Sequence, residues 1–157
     1  MHVEIRVLET ALDALAEVAP VYSGRPSVGG VVSFVGLMRD INVGEQISAM
    51  TLEHYPGMTE KALAAIVAEA GERWELEAVR VIHRIGEIRP QDPIVLVAVA
   101  SRHRGEAFRA CEFIIDYLKT RAPFWKREQT ADGRARWVDA RNSDEAAADS
   151  WKDAGSR

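Results

Sequence analysis

The residues of this chain best suited to chemistry are cations, and most of them fall in one short stretch. Between Arg102 and Arg127 stand seven Lys or Arg residues against three acids, Glu106, Glu112 and Asp116. The whole chain carries a formal net charge of -4. An acidic chain with one basic segment suits a small anionic ligand better than a polyanion. The same balance argues against general nucleic-acid binding.

Three constellations stand out. Ser101-Arg102-His103-Arg104 follows an apolar run and opens an amphipathic stretch. A helix N-terminus offers unpaired backbone N–H groups and partial positive charge, and Arg102, His103 and Arg104 there would strengthen the attraction for phosphate. The same residues also fit a solvated turn. Lys119 follows Leu118 on the edge of the buried face, where partial desolvation suits an ammonium to work as acid, base or nucleophile. It equally fits a lysine that complements the helix dipole. Lys126-Arg127-Glu128 comes just after Pro123-Phe124-Trp125, whose aromatic rings can wall a pocket or fill a core. The third group is Phe34 with Leu37-Met38-Arg39, at the end of a strand, where an arginine can reach a ligand. Cys111 lies on a buried helix face and reads as core. His54 and His83 lie in strands without an adjacent ligand pattern and read as structural. No metal site and no cofactor follow.

The elements that position these residues come from periodicity. Val3, Ile5 and Val7 alternate as a strand, and Ala11 to Val18 reads as a helix stopped by Pro20. Gly30 to Met38 is a strand, Arg39 to Glu45 a turn, and Ile47 to Tyr55 the return arm of a hairpin. Thr59 is a candidate cap for a helix with Leu63, Ile66, Val67, Ala70 and Trp74 on its buried face. Val79 to Ile85 alternates, and Ile94 to Ala100 is an unbroken apolar run, as in a central strand. Arg104 to Thr120 is the clearest helix, with Phe108, Cys111, Ile115 and Leu118 on its inner side. Asp132-Gly133 predicts a hairpin turn. After Ser143 a short helix is expected around Trp151, with a mobile end. Irregular alternation with a hairpin indicates an α+β fold with a mixed sheet. Residues 1–142 are expected to form a single domain and 143–157 a partly mobile tail. No apolar stretch reaches membrane-spanning length and no leader pattern opens the chain, which points to the cytoplasm.

His103 and Lys119 bracket one helix. Sixteen residues at 1.5 Å each separate their backbones by roughly 24 Å. Either the clusters serve different purposes, or one site is shared between chains. A homodimer with composite sites resolves the difficulty.

The segments GGVVSFVGLMRD, LEHYPGMTEKAL, HRIGEIRP, VAVASRHRGEAFRACEFIIDYLKTRAPFWKRE and RWVDAR, in this order, resemble the large subunit of molybdopterin synthase over about residues 28 to 142. The resemblance implies an α/β-hammerhead-type mixed sheet with flanking helices and an additional small antiparallel sheet. It implies a homodimer within a heterotetramer. Each large subunit would take one small ubiquitin-like sulfur-carrier subunit bearing a C-terminal glycine thiocarboxylate. The substrate would be cyclic pyranopterin monophosphate, which receives two dithiolene sulfurs. By motif match Lys119 and Lys126 are the catalytic residues. Phe34, Leu37, Met38, Arg39, His103, Arg104, Arg127 and Glu128 contact substrate, and Arg141 reaches the neighbouring subunit's site. The competing readings are a phosphohydrolase opening a cyclic phosphate, an anion- or RNA-binding module, and a scaffold that holds the carrier without chemistry.

Overall fold

The computed structural model describes residues 1–138 and 142–153. In chain order the elements are β1 (His2–Leu8), β2 (Gly30–Leu37), β3 (Ile41–Asn42), β4 (Glu45–His54), α1 (Met58–Arg73), β5 (Ala78–Arg84), β6 (Gly86–Ile88), β7 (Pro93–Ser101), α2 (Arg104–Arg121), β8 (Phe124–Thr130), β9 (Ala135–Val138) and α3 (Asn142–Asp153). They build two sheets. The first runs β1-β5-β7-β2, with β1 and β5 parallel and the other neighbours antiparallel. The second runs β3-β4-β8-β9, with β6 also paired to β4, and is antiparallel throughout. The α+β architecture expected from the sequence is therefore present.

Side-chain alternation explains the layers. Val79 and Val81 of β5 and Val95, Val97 and Val99 of β7 pack against Leu63, Val67 and Ala70 of α1 and Ala107, Cys111 and Ile114 of α2. Ala78, Ile82, Leu96, Ala98 and Ala100 face the other way, under Leu12, Ala14 and Val21. Strand β7 is thus covered on both faces, which is why residues Ile94 to Ala100 are all Ile, Val, Leu or Ala. A third core of Met38, Ile47, Met50, Leu52, Ile85 and Ile88 fills the junction between the sheets. Helix α3 docks through Trp151, which meets Trp74 and Phe113 edge-on, while its Nε1 donates to Asp116 at 2.8 Å. The expected short helix around Trp151 thus closes the first core. Residues 154–157, where the tail was expected to be mobile, lie outside the described residues.

Four local expectations are corrected. Ala11 to Val18 is a run of turns leading to a single 3-10 turn at Ala19–Val21. The stretch is too short before Pro20 to hold a helix, and Asp13 Oδ1 accepts the Ala16 N–H instead. Strands β2 and β4 are not arms of one hairpin: β2 pairs with β7, and β4 takes the two-residue β3 as its hairpin arm. Val43 and Gly44 form that turn, both with positive φ, at 51° and 75°. This is the geometry that lets a two-residue loop follow strand twist. Thr59 does not cap α1. Gly57 does, with Glu60 accepting its N–H at 2.8 Å, while the buried Thr59 hydroxyl donates to the Tyr55 carbonyl. Phe108 is 60% exposed. The small Ala107 and Ala110 form the inner face at that level and bring α2 close to β7.

The Asp132-Gly133 turn is as expected: β8 and β9 pair through it, and Gly133 takes φ 89°.

Candidate active site

The helix α2 ends where its apolar stripe ends. Ile115 and Leu118 are buried, Lys119 is the next residue round, and Pro123 stops the helix. The chain turns and Phe124 starts β8. Along a strand every second side chain shares a face, so Phe124, Lys126 and Glu128 point one way and Trp125, Arg127 and Gln129 the other. The inward set, with Lys119, lines a cavity of about 260 Å³. The end of β2 and the loop beyond it supply Phe34, Leu37, Met38 and Arg39. His83, at the end of β5, lies in the wall shared by both lysines.

Seven of the residues picked out in the sequence therefore meet in one place: Phe34, Leu37, Met38, Arg39, Lys119, Lys126 and Glu128. The ammonium of Lys119 and the guanidinium of Arg39 belong to exposed side chains on the rim. Met38 is buried beneath them. Arg127 is exposed on the opposite face of β8, level with Trp137. His103 and Arg104 stand exposed at the far end of α2 and do not line this cavity. Arg141 lies outside the described residues.

The far cluster is well built in its own right. The buried Ser101 hydroxyl sits between the Glu75 carbonyl and the Glu106 carboxylate, at 2.8 and 3.0 Å, and receives the His103 N–H at 3.4 Å. Gly29 donates its N–H to the Ser101 carbonyl, and a Cβ on Gly29 would stand 2.1 Å from the Arg102 carbonyl oxygen. Only glycine lets the start of β2 pass so close. The strand thus holds the turn that presents His103 and Arg104.

Glu128 is tied down rather than open. It is buried, accepts the Asn42 side-chain amide at 2.6 Å, and faces Arg136 Nη2 at 3.3 Å. Arg136 also donates to Glu45 at 3.1 Å and to the Asn42 carbonyl at 3.2 Å. One guanidinium therefore clamps the β3–β4 hairpin to β8 and β9, beside Lys126. Arg136 was missed in the sequence, where a strand arginine two residues before Val138 carries no distinguishing signal.

Cys111 is buried, with its thiol 3.7 Å from the Val97 carbonyl. Burial pushes its pKa up to about 12, so thiolate chemistry at neutral pH is closed to it. His83 is buried as the sequence suggested, but it is also part of the cavity. Its ring stacks on Phe124 with centroids 3.9 Å apart, and Nδ1 donates to the Arg84 carbonyl at 2.8 Å. Burial first, then the neighbouring Lys126, His54 and Lys119, hold its pKa down at about 4 against the ordinary 6.5.

That depression has a measurable consequence. Below pH 6.5 the unfolded chain protonates this imidazole while the folded chain does not. The stabilisation is complete above pH 6.5 and is lost as pH falls from there to about 4, by roughly 3 kcal/mol in full. Thermal melts of the His83→Phe variant should therefore fall less between pH 7 and pH 4.5 than those of the unmodified protein. Parallel pH curves for the two proteins would mean that the ring is not held neutral.

The family model described as MoaE protein matches residues 7–121, most of the chain. The chain belongs to the MoaE protein family. A molybdopterin synthase catalytic subunit from Ralstonia nicotianae is 64% identical over 147 residues, covering 94% of this chain and 83% of that one. The structure of a molybdopterin biosynthesis MoaE protein from Burkholderia ambifaria superposes with a TM-score of 0.81 at 51% identity, covering 97% and 99% of the two chains. A more distant structure, at 18% identity and a TM-score of 0.70, shares the fold over 88% of this chain and 90% of that one. It is described as a complex of subunits 1 and 2 of molybdopterin-converting factor from Helicobacter pylori. This MoaE-family chain is an enzyme, the catalytic subunit of a molybdopterin synthase in molybdenum cofactor biosynthesis. No helix among its described residues is long and apolar enough to cross a membrane.

Proposed function

We propose that the cavity between α2, β8 and the end of β2 is where cyclic pyranopterin monophosphate receives its sulfurs. The observation that carries this reading is the convergence of Lys119, Lys126 and Arg39 on one cavity from three separate elements. Three cations beside apolar walls suit a phosphorylated heterocycle: the guanidinium and ammonium groups bind the anion, and Phe34, Leu37 and Met38 cover the rings.

The sulfur arrives on a second protein. A small ubiquitin-like carrier threads its C-terminal glycine thiocarboxylate toward Lys119. Its sulfur attacks an oxygen-bearing carbon of the precursor, and the C–O bond breaks as C–S forms. Water then cleaves the resulting thioester, so that the carrier leaves as its carboxylate and the sulfur stays on the precursor. Lys119, near the carrier's terminal carbonyl, assists the attack and the breakdown of the covalent intermediate. Lys126 stabilises developing negative charge or transfers protons. Two deliveries complete the dithiolene. No cysteine of the chain takes part, in keeping with the buried, high-pKa Cys111.

The site is completed by a second copy of the chain. At about 260 Å³ the cavity falls just short of the usual range for a small-molecule site, roughly 300–1,000 Å³. His103 and Arg104 lie roughly 24 Å along α2 from Lys119 and do not line their own cavity. In a two-fold dimer the His103 end of one subunit supplies the missing wall of the other. Arg127 and Arg141 are assigned to the same assembly, the first on the outer face of β8, and Glu128 acts through its ties to Asn42 and Arg136. The pair of large subunits with two carriers forms a heterotetramer, placed in the cytoplasm.

Incubation with cyclic pyranopterin monophosphate should give dithiolene only when thiocarboxylated carrier is added. Turnover of the precursor without carrier would favour a phosphohydrolase instead, and binding without product would favour a scaffold.

A further inference from the structure

Of the four histidines, only His83 lines the cavity. The residue is 5% exposed, and its ring lies on Phe124 with the planes inclined by 20°. The bond from Nδ1 to the Arg84 carbonyl decides the tautomer, because a carbonyl can only accept. The proton of the neutral ring therefore sits on Nδ1, and Nε2 is a lone-pair acceptor. No donor among the described residues reaches Nε2. The His83 side chain lines the cavity, and Nε2 is the ring nitrogen that the backbone does not use.

The groups facing this ring are Lys119 from α2, Lys126 from β8 and His54 from β4. All three oppose a proton on it, and burial opposes it more. The ring is therefore a fixed, uncharged acceptor next to two ammonium groups. Cations select for negative charge but not for the orientation of a flat heterocycle. An acceptor that no donor among the described residues satisfies selects for a donor on the ligand, since a ligand lacking one leaves it stranded and desolvated.

Resting on the reading of the cavity given above, we propose that Nε2 of His83 accepts a hydrogen bond from a ring N–H or O–H of the bound heterocycle and so sets its register against Lys119 and Lys126. His83 is then a binding and specificity residue, and it moves no proton in the reaction. A ligand of the same shape and charge without a donor at that edge should be discriminated against.

The test pairs two variants in the reconstituted assay with carrier. His83→Phe keeps a ring on Phe124 and removes the acceptor. It should raise KM for cyclic pyranopterin monophosphate about threefold to tenfold, with kcat little changed and carrier affinity unchanged. Lys119→Ala, assayed in parallel, should lose kcat. Normal KM in His83→Phe alongside an inactive Lys119→Ala overturns the role of His83 and leaves the cavity assignment standing. Normal turnover in Lys119→Ala overturns the cavity assignment itself. Nitrogen NMR of the unmodified, ¹⁵N-histidine-labelled protein decides the matter even if His83→Phe fails to fold. Saturation with cyclic pyranopterin monophosphate should move the Nε2 resonance of His83 and leave Nδ1 nearly in place. An Nε2 resonance that does not move overturns the proposal.

Discussion

Replacing Lys119 by alanine should lower dithiolene formation by about 10²–10⁴-fold while leaving the carrier bound. The size follows from what an ammonium does at a carbonyl that is gaining negative charge in a site partly closed to water. The clean separation from folding follows from where Lys119 sits. It is exposed on the cavity rim, one position past the buried Leu118. An exposed side chain contributes little to folding, so stability should stay within the small range typical of surface substitutions, about 0.5 kcal/mol. Carrier affinity, measured by calorimetry or co-elution, should be close to that of the unmodified chain. A variant that turns over normally would remove Lys119 from the chemistry. A variant that has lost the carrier as well would make it a docking residue.

The experiment reads less cleanly at neighbouring positions. Glu128 is held by Asn42 and Arg136, so its removal would loosen the β3–β4 hairpin as well as alter the cavity. A loss of activity there would mix geometry with chemistry. Lys119 is the position at which the two can be told apart.

How much of this was legible in the chain depends on the range of the interaction that decides each feature. Helix α2 and strand β7 follow from local periodicity, and both are present nearly as read. The partner of a strand is a long-range choice. Ile47 to Tyr55 alternates like a hairpin arm, but nothing within it says that β2 will instead bond to β7, about sixty residues later. The inner face of α2 was read from its large residues, and Phe108 was placed on it. The helix instead packs through Ala107 and Ala110, whose small side chains give weak periodic signal but allow close approach. The segment before Pro20 looks helical in pattern and is too short to become one.

The site divides the same way. Lys119 and Lys126 are seven residues apart, and an unbroken helix would carry both. The turn at Pro123 and the alternation of β8 bring them to one cavity, which the residue types alone do not say; the family resemblance singled them out as a pair. His83 shows the limit most plainly. In an alternating strand a histidine bound for the core and one bound for a cavity wall look alike. Only the packing of α2 and β8 against the end of β5 distinguishes them.

The central claim is that one phosphate-bearing heterocycle is gripped by cations from two copies of the chain. His103→Ala and Lys119→Ala chains, each inactive alone, test it directly when they are mixed and allowed to exchange. In a mixed dimer one site carries both defects and the other carries neither, because the intact His103 of one chain faces the intact Lys119 of its partner. Random exchange makes half of the dimers mixed and leaves each with one working site, so about a quarter of full activity should return. If mass spectrometry proves that the chains have exchanged and the mixture still makes no dithiolene, the site is not shared and the account fails.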